Sequence, residues 1–340
     1  MSEKIINFAI VGCGAIADFH AQAIKNIENA RLIGACDKNI KNAESFTQKY
    51  GIKCYESFEQ MICDKDIDAV CICTPSLFHK EGALAALRAG KHVVIEKPMA
   101  FTKSDAEEIA KAVESSNKVL TSVAQLRFSD DFIKAKALIE NGELGRLLLC
   151  DLYMKYWRDE SYYASSNWKG TLKFDGGGAL MNQGIHGIDA LLYLVGDAKV
   201  VCAKNKTVYH DIEVEDMSLS MLEFDCGAMG VIEGTTCIKP GFERKIEIMG
   251  TKGALIIKED KIEKLVLNGK TIIDNESAEV AGTASDPTAM SFELHRRQLT
   301  NFIGAINEGR PLVIDVYEGA RPVSLIEEIY NKGKNLQWLE

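Results

Sequence analysis

The sequence predicts two domains: an α/β domain on a doubly wound parallel sheet, then an α+β domain with a large, mostly antiparallel open sheet. Three observations predict this. Strand and helix patterns alternate from residue 4 to about 123. A glycine turn follows the first strand and opens a helix. Beyond Gly145 one strand pattern follows another with little helix between them. A length of 340 residues also suits two domains better than one.

In the first domain, assigned to residues 1–123, the strand candidates are 5–11, 32–36, 69–73, 92–95 and 119–123. They read as continuous apolar runs, which marks strands buried on both faces beneath helices. Helix patterns lie between them, such as 81–89, which stops at Gly90. The second domain, 124–340, begins with a long strand candidate at 147–157 and an aromatic, polar loop through Trp168. Gly176, Gly177 and Gly178 open a helix that ends near Gly196. Strand runs at 217–224, 230–236, 245–249 and 254–257 belong to an antiparallel sheet over about 200–273. Helix candidates at 292–307 and 316–332 close the chain, the last a candidate to pack back on the first domain.

Forty Lys and Arg against 49 Asp and Glu leave a formal charge of -9, which disfavours nucleic-acid and anionic-membrane partners. No apolar run reaches the length of a spanning helix. The first ten residues run into a strand pattern without the features of a signal peptide, so a cytoplasmic protein is expected. Ten cysteines are scattered, several within apolar runs such as Cys71 and Cys73, and no C-x-x-C pair occurs. They read as small hydrophobes in a reducing compartment, and no metal is expected.

The first strand runs into Gly12-Cys13-Gly14-Ala15-Ile16-Ala17, a G-x-G-x-x-A turn. Two glycines let the backbone turn sharply and approach a pyrophosphate, and the helix N-terminus offers N–H groups to the anion. Asp37 ends the second strand, 23 residues beyond Gly14, where an acid accepts the adenosine ribose hydroxyls and repels a 2′-phosphate. A Rossmann domain that binds NAD is expected, with NADP as the alternative. In such sheets the ligand lies beyond the carboxyl ends of the strands, where Asp37, Thr74, Pro75, Glu96, Lys97 and Gln125 all fall.

Thr74-Pro75 with His79, then Gly90-Lys91-His92 running to Glu96-Lys97-Pro98, closely resemble the glucose–fructose oxidoreductase / inositol dehydrogenase (Gfo/Idh/MocA) family. Gly176-Gly177-Gly178 with His186 and Asp189, and the region from Asn301-Phe302 to Pro311, extend the resemblance over the whole chain. It implies cofactor contacts from Gly12, Gly14, Ala15, Ile16, Asp37, Lys38, Thr74, Pro75, Leu77, His79, Glu96, Lys97 and Gln125. It implies substrate contacts from Arg127, Tyr163, Trp168, Lys169, Asn182 and His186, with Lys97, His186 and Asn182 catalytic. Inositol-dehydrogenase-like members carry D-x-x-x-H where this chain has Asn182 and His186. Asparagine accepts no proton, so the Asp–His pair of those members is missing. The M-N-Q-G-x-H form, Tyr162-Tyr163 and Trp168-Lys169-Gly170-Thr171 resemble members acting on sugar nucleotides, notably UDP-N-acetylglucosaminuronate 3-dehydrogenases.

On regular helical spacing Asn182, His186 and Asp189 share one face. His20 reads either as a phosphate contact or as a structural histidine, and His92 as packing. His210 and His295 have no partner that the sequence names. The expected activity is hydride transfer between NAD and a secondary alcohol of a sugar, sugar nucleotide or cyclic polyol, with Lys97 and His186 handling the proton. The alternatives are a glycosidase or isomerase with tightly held NAD, and a non-catalytic NAD-binding sensor. An open face on the second sheet predicts a homo-dimer or homo-tetramer through residues 200–273.

Overall fold

The computed structural model describes residues 4–166, 168–275 and 291–334. The chain forms two compact units: Met1–Gln125 with Ser291–Ala320, and Leu126–Met290 with Arg321–Glu340. Among the described residues no helix is long and apolar enough to cross a membrane.

Unit 1 holds six parallel strands: β1 (Ile6–Val11), β2 (Ala30–Cys36), β3 (Lys53–Cys54), β4 (Ala69–Ile72), β5 (His92–Ile95) and β6 (Leu120–Ser122). Their order is β3-β2-β1-β4-β5-β6, so the chain reverses direction across the sheet between β1 and β4. That reversal is where doubly wound sheets bind their ligands. The linking helices are α1 (Ala15–Lys25), α2 (Ile40–Tyr50), α3 (Phe58–Cys63), α4 (His79–Arg88) and α5 (Lys103–Ser116). Asn39, Ser57 and Thr102 cap α2, α3 and α5 by accepting backbone N–H groups of the first turn. In β1, Ile6, Phe8 and Ile10 pack with Ala17, Ala21 and Ile24 of α1. Ala9 and Val11 face the other way, in a cluster with Leu84 and Ile109. Period-two alternation thus feeds two apolar layers, one on each side of the sheet.

Unit 2 is built from α6 (Asp130–Glu140), β7 (Leu147–Lys155), α7 (Glu160–Ala164), α8 (Leu172–Asp175), a π-helical turn at Ala179–Gly184, and α9 (Ile185–Val195). There follow β8 (Ala198–Lys206), β9 (Met217–Phe224), β10 (Met229–Thr235), β11 (Lys245–Gly250), β12 (Gly253–Lys258), β13 (Lys261–Leu267) and β14 (Lys270–Asp274). The sheet order is β14-β13-β12-β11-β7-β10-β9-β8, antiparallel throughout except between β7 and β10. Ile185, Ile188, Leu191 and Leu192 of α9 pack on Leu152, Met154, Ile232 and Ile248. On β9 burial alternates strictly, with Ser218, Ser220, Leu222 and Phe224 inside and Leu219, Met221 and Glu223 outside.

The last two helices are α10 (Glu293–Glu308) and α11 (Val316–Lys334). Leu299, Phe302 and Ile303 of α10 join the α1 side of the β1 layer, with the Phe302 ring 6.2 Å from that of Phe8. Gln298 bonds the Ala124 N–H and the Ser122 carbonyl, fixing α10 to the end of β6. Residues 291–320 therefore belong to the parallel-sheet unit although they follow the whole second sheet in the chain. Val316–Ala320 of α11 fall in unit 1 and the rest in unit 2. Pro322 lies inside this helix.

The helix read from the sequence as opening at three glycines begins differently, as the wide π turn. Glu215 explains the opening. Its carboxylate accepts the Gly178 N–H (2.8 Å), the Leu180 N–H (2.9 Å) and the Tyr330 hydroxyl (2.8 Å). Its carbonyl accepts the Ala179 N–H. A Cβ on Gly178 would collide with that carbonyl oxygen, and one on Gly177 with the Tyr330 hydroxyl. Burial nevertheless pushes the Glu215 carboxyl above its ordinary range, against the donors that favour its charge.

Two outcomes follow. Gly178→Ala should lower the unfolding free energy in urea by about 2–3 kcal/mol, the cost of overpacking a closed turn; a loss under about 0.5 kcal/mol would refute the backbone clash. The second concerns His92, whose Nδ1 accepts the Val119 N–H at 3.0 Å. Burial, aided by Lys118, lowers its pKa from 6.5 to about 4. Below 6.5 the unfolded chain takes up a proton that the folded chain refuses until about 4, so this group's share of stability falls as pH drops through that window. His92→Gln should flatten the decline in Tm there; an unchanged pH profile would refute the assignment.

Candidate active site

In unit 1 the turn after β1 is set by backbone proximity. Gly12 has φ of +88°, donates its N–H to the Cys36 carbonyl at 2.9 Å, and would place a Cβ 2.6 Å from the Cys73 carbonyl oxygen. Gly14 caps α1 without a side chain, and Gly14 and Ala15 are exposed with Ile16 half-buried behind them. The first turn of α1 therefore presents its N–H groups at an open edge, as an anion site requires. Ala17 is buried where the helix meets the sheet. Asp37 closes the turn from β2: Oδ2 accepts the Cys13 N–H and Oδ1 the Asn39 N–H, both at 2.7 Å. Each oxygen keeps a lone pair for a ribose hydroxyl. Lys38 stands exposed beside it.

The ends of β4, β5 and β6 hold the remaining expected cofactor residues. Thr74, Pro75 and Leu77 are half-buried. Thr74 Oγ1 and Gln125 Oε1 are buried and have no hydrogen-bond partner in the protein. Buried polar atoms are normally satisfied, so these two fit a polar ligand such as the nicotinamide end of NAD. His79 does a different job: its ring lies buried between the Pro98 carbonyl (2.7 Å) and the Thr74 carbonyl (2.8 Å). Burial lowers its pKa, and the ring clamps the loops after β4 and β5 together. The Glu96 carboxylate is 5% exposed and faces His20 Nε2 at 2.8 Å. Burial alone would raise the Glu96 pKa, but the His20 bond and charge overcome it and bring it to about 2. Lys97, half-buried, follows directly and donates its backbone N–H to Glu96 Oε2.

In unit 2 a polar network surrounds the π turn. Asn182 donates Nδ2 to Asp175 Oδ1 at 2.7 Å, while Asp175 Oδ2 accepts the Gly170 N–H at 2.7 Å. Gln183 donates to Asn182 Oδ1 (3.2 Å) and the Tyr162 hydroxyl (2.7 Å), and accepts from Arg158 at 2.9 Å. With its Oδ1 accepting and its Nδ2 donating, the Asn182 amide has a fixed orientation. His186 lies half-buried near the start of α9. Asp189 is turned to another task, a buried two-bond ion pair with Arg127 at 3.0 and 2.7 Å. The wide turn breaks the regular spacing that would put Asn182 on one face with His186 and Asp189, which both lie in α9 itself. Arg127, 2% exposed, also stacks on the Tyr193 ring at 5.0 Å, so its guanidinium is occupied within the fold.

Tyr163, Trp168 and Lys169 line the loop ahead of α8. The Tyr163 hydroxyl is 2.9 Å from Thr236 Oγ1, and its ring lies 4.8 Å from that of His210. Lys169 Nζ donates to Ser165 Oγ at 2.9 Å and sits 4.0 Å from the Tyr162 ring centre; burial lowers its pKa. Trp168 is half-buried. Behind them, His210 bridges Asp216 Oδ2 (3.0 Å) and the Arg158 carbonyl (2.8 Å). Burial opposes the Asp216 charge, but N–H donors from His210, Val208 and Tyr209 hold its pKa below the usual range. Asp175, Arg158, Asp216 and Glu215 escaped the sequence reading, which named His210 without a partner and Gln183 only as part of a motif. Only Asp175 had a local signal, its place directly before three glycines.

Comparison with known proteins agrees with the fold. Residues 6–124 match an oxidoreductase family with an NAD-binding Rossmann fold, and residues 132–256 match the GFO/IDH/MocA C-terminal domain. The WlbA dehydrogenase of Bordetella pertussis, solved with NADH and UDP-GlcNAcA, superposes with a TM-score of 0.86 at 29% identity, covering 98% of this chain and 97% of that one. An uncharacterized oxidoreductase of Schizosaccharomyces pombe is 30% identical over 74% of this chain and 70% of its own. The myo-inositol 2-dehydrogenase of Thermotoga maritima is 26% identical over 77% of this chain and 78% of its own. With the glycine turn, the acid at the end of β2 and both matched segments in place, the chain belongs to the Gfo/Idh/MocA family of NAD-binding oxidoreductases.

Proposed function

We propose that this enzyme oxidises a secondary alcohol of a sugar nucleotide, with a UDP-linked N-acetyl uronate sugar as the first candidate. The observation that carries the reading is the likeness, over 98% of the chain, to a dehydrogenase solved with NADH and UDP-GlcNAcA. The M-N-Q-G-x-H segment and the Tyr163, Trp168 and Lys169 loop, which resemble those of members acting on sugar nucleotides, support it. NAD bound at the glycine turn supplies the hydride acceptor. Lys97 and His186 take the hydroxyl proton, returning it in the reverse direction. Asn182 cannot serve as a base; with its amide fixed by Asp175 and Gln183, it orients the substrate or His186. Lys169, a cation over the Tyr162 ring, suits a sugar carboxylate. Arg127 acts through Asp189, by holding α9. Ten free thiols suit a reducing, cytoplasmic setting.

NADH absorbance with UDP-GlcNAcA and with myo-inositol tests the substrate. Turnover of the first well above the second is expected, and turnover of myo-inositol alone would overturn the choice. Lys97→Ala should cut kcat by about 10²–10⁴, the usual share of general acid–base catalysis, with little change in NAD affinity. Near-normal turnover by that variant would exclude the proton-transfer role.

The second sheet carries an apolar outer face. Leu149, Val201, Leu219, Met221 and Met229 are each more than 40% exposed. Met229 lies beside Leu149, and Val231 beside Met221, in register. A face of that kind on neighbouring strands fits a second copy of the chain in a self-complementary pairing. Light scattering should show a dimer or tetramer that Met221→Glu converts to monomer. A wild-type monomer at working concentration would refute the pairing.

A further inference from the structure

Unit 1 contains a cluster that the proposed reaction does not use. His20 from the second turn of α1, Glu96 just beyond β5 and His295 from the first turn of α10 converge with their donor atoms all within 4.8 Å of one another. All three side chains are buried, at 1%, 5% and 3% exposure. The rings of His20 and His295 meet edge to face with centres 5.5 Å apart. The telling feature is His295. Both of its ring nitrogens are buried without a hydrogen-bond partner, and so is His20 Nδ1. A neutral imidazole always carries one N–H and one lone pair. Burying both unanswered forfeits their hydration with nothing in return, and an apolar ring would avoid that cost. A ring of this kind in an otherwise close-packed layer calls for a partner that is not a protein group.

We propose that His20, Glu96 and His295 form a binding site for zinc or a similar divalent transition metal. Two imidazoles and one carboxylate are the His₂Glu donor set that zinc accepts, with water completing the tetrahedron. Magnesium and calcium prefer all-oxygen shells and are poor matches. Zinc bonds of about 2.0–2.2 Å hold donor atoms about 3.5 Å apart, so small side-chain adjustments close the set. The His20–Glu96 hydrogen bond at 2.8 Å marks where two of the ligands already meet. The metal would join α1, the end of β5 and α10. It would thus tie residues 20 and 96 to residue 295, far along the chain. Its function is to staple the nucleotide-binding unit, independently of hydride transfer.

The test uses the full chain, stripped with a chelator and returned to metal-free buffer. Titration with Zn²⁺ by calorimetry should give about one tight equivalent per chain, and Zn²⁺ should raise Tm by several degrees. Co²⁺ should give the intense visible bands of a tetrahedral site. His295→Phe keeps the ring volume and loses no protein hydrogen bond, so the metal-free variant should fold with near wild-type Tm. It should lose the Co²⁺ bands and at least tenfold in Zn²⁺ affinity, and Glu96→Gln should weaken binding likewise. Absence of stoichiometric binding by the wild type would overturn the site. So would binding that survives His295→Phe and disappears on thiol alkylation, since that would place the metal on cysteines. None of these readouts depends on turnover, so failure of the substrate assignment would leave them intact.

Discussion

In each unit the candidate residues depend on backbone running against backbone where no Cβ can stand. Gly12 lies against the Cys73 carbonyl, and Gly178 against that of Glu215. In each case a carboxylate closes the turn by accepting an N–H of the glycine segment: Asp37 from Cys13, and Glu215 from Gly178 and Leu180. The close approach aims the following helix, and the carboxylate limits the turn to one of the conformations that glycine permits. The candidate residues that follow each turn inherit their places from these contacts. Asn182 and His186 stand four and eight residues beyond Gly178, so any relaxation there moves both.

The parallel sheet was nearly complete in the sequence, because strands buried on both faces leave unbroken apolar runs. Only the two-residue β3 escaped, being too short to show a pattern. The second sheet was legible as antiparallel, but not the parallel pairing of β7 with β10, which joins strands more than seventy residues apart. Of the candidate site, the sequence pointed to what short motifs mark: the glycine turn, Asp37, Lys97 and His186. Partners contributed by distant segments could not. Nothing near Arg127 announces Asp189, and nothing near His210 distinguishes Asp216 from other acids in the stretch 211–216. The π turn was invisible as well, since its apolar spacing over six residues matches that of an α-helix.

Unit 2 also buries charge with unusual thrift of partners. Arg127 with Asp189, and Arg244 with Glu259, are ion pairs whose side chains are at most about a tenth exposed. Desolvation cancels much of the attraction in such pairs, so their net effect on stability is small. Losing one member, however, strands the other in an apolar layer, which costs about 3–5 kcal/mol. They act as registration devices. Arg127 admits α9 in one rotation only, and Arg244 fixes the first residues of β11 to the turn after β12.

The separation of α10 from the sheet it covers has a consequence for how the chain emerges from the ribosome. Ile6, Phe8 and Ile10 wait for Leu299, Phe302 and Ile303 before their layer is complete. At about 5–20 residues per second, some fifteen to sixty seconds of synthesis separate the two. Throughout that interval the nascent first sheet has α1 as cover but exposes the strip that α10 will occupy. The second sheet is made inside that delay, but its unit waits longer still, for Val323, Leu325, Ile326 and Ile329 of α11. The nucleotide-binding unit thus stays open while the whole second sheet is made, and a nascent-chain chaperone has a defined apolar strip to shield in the meantime.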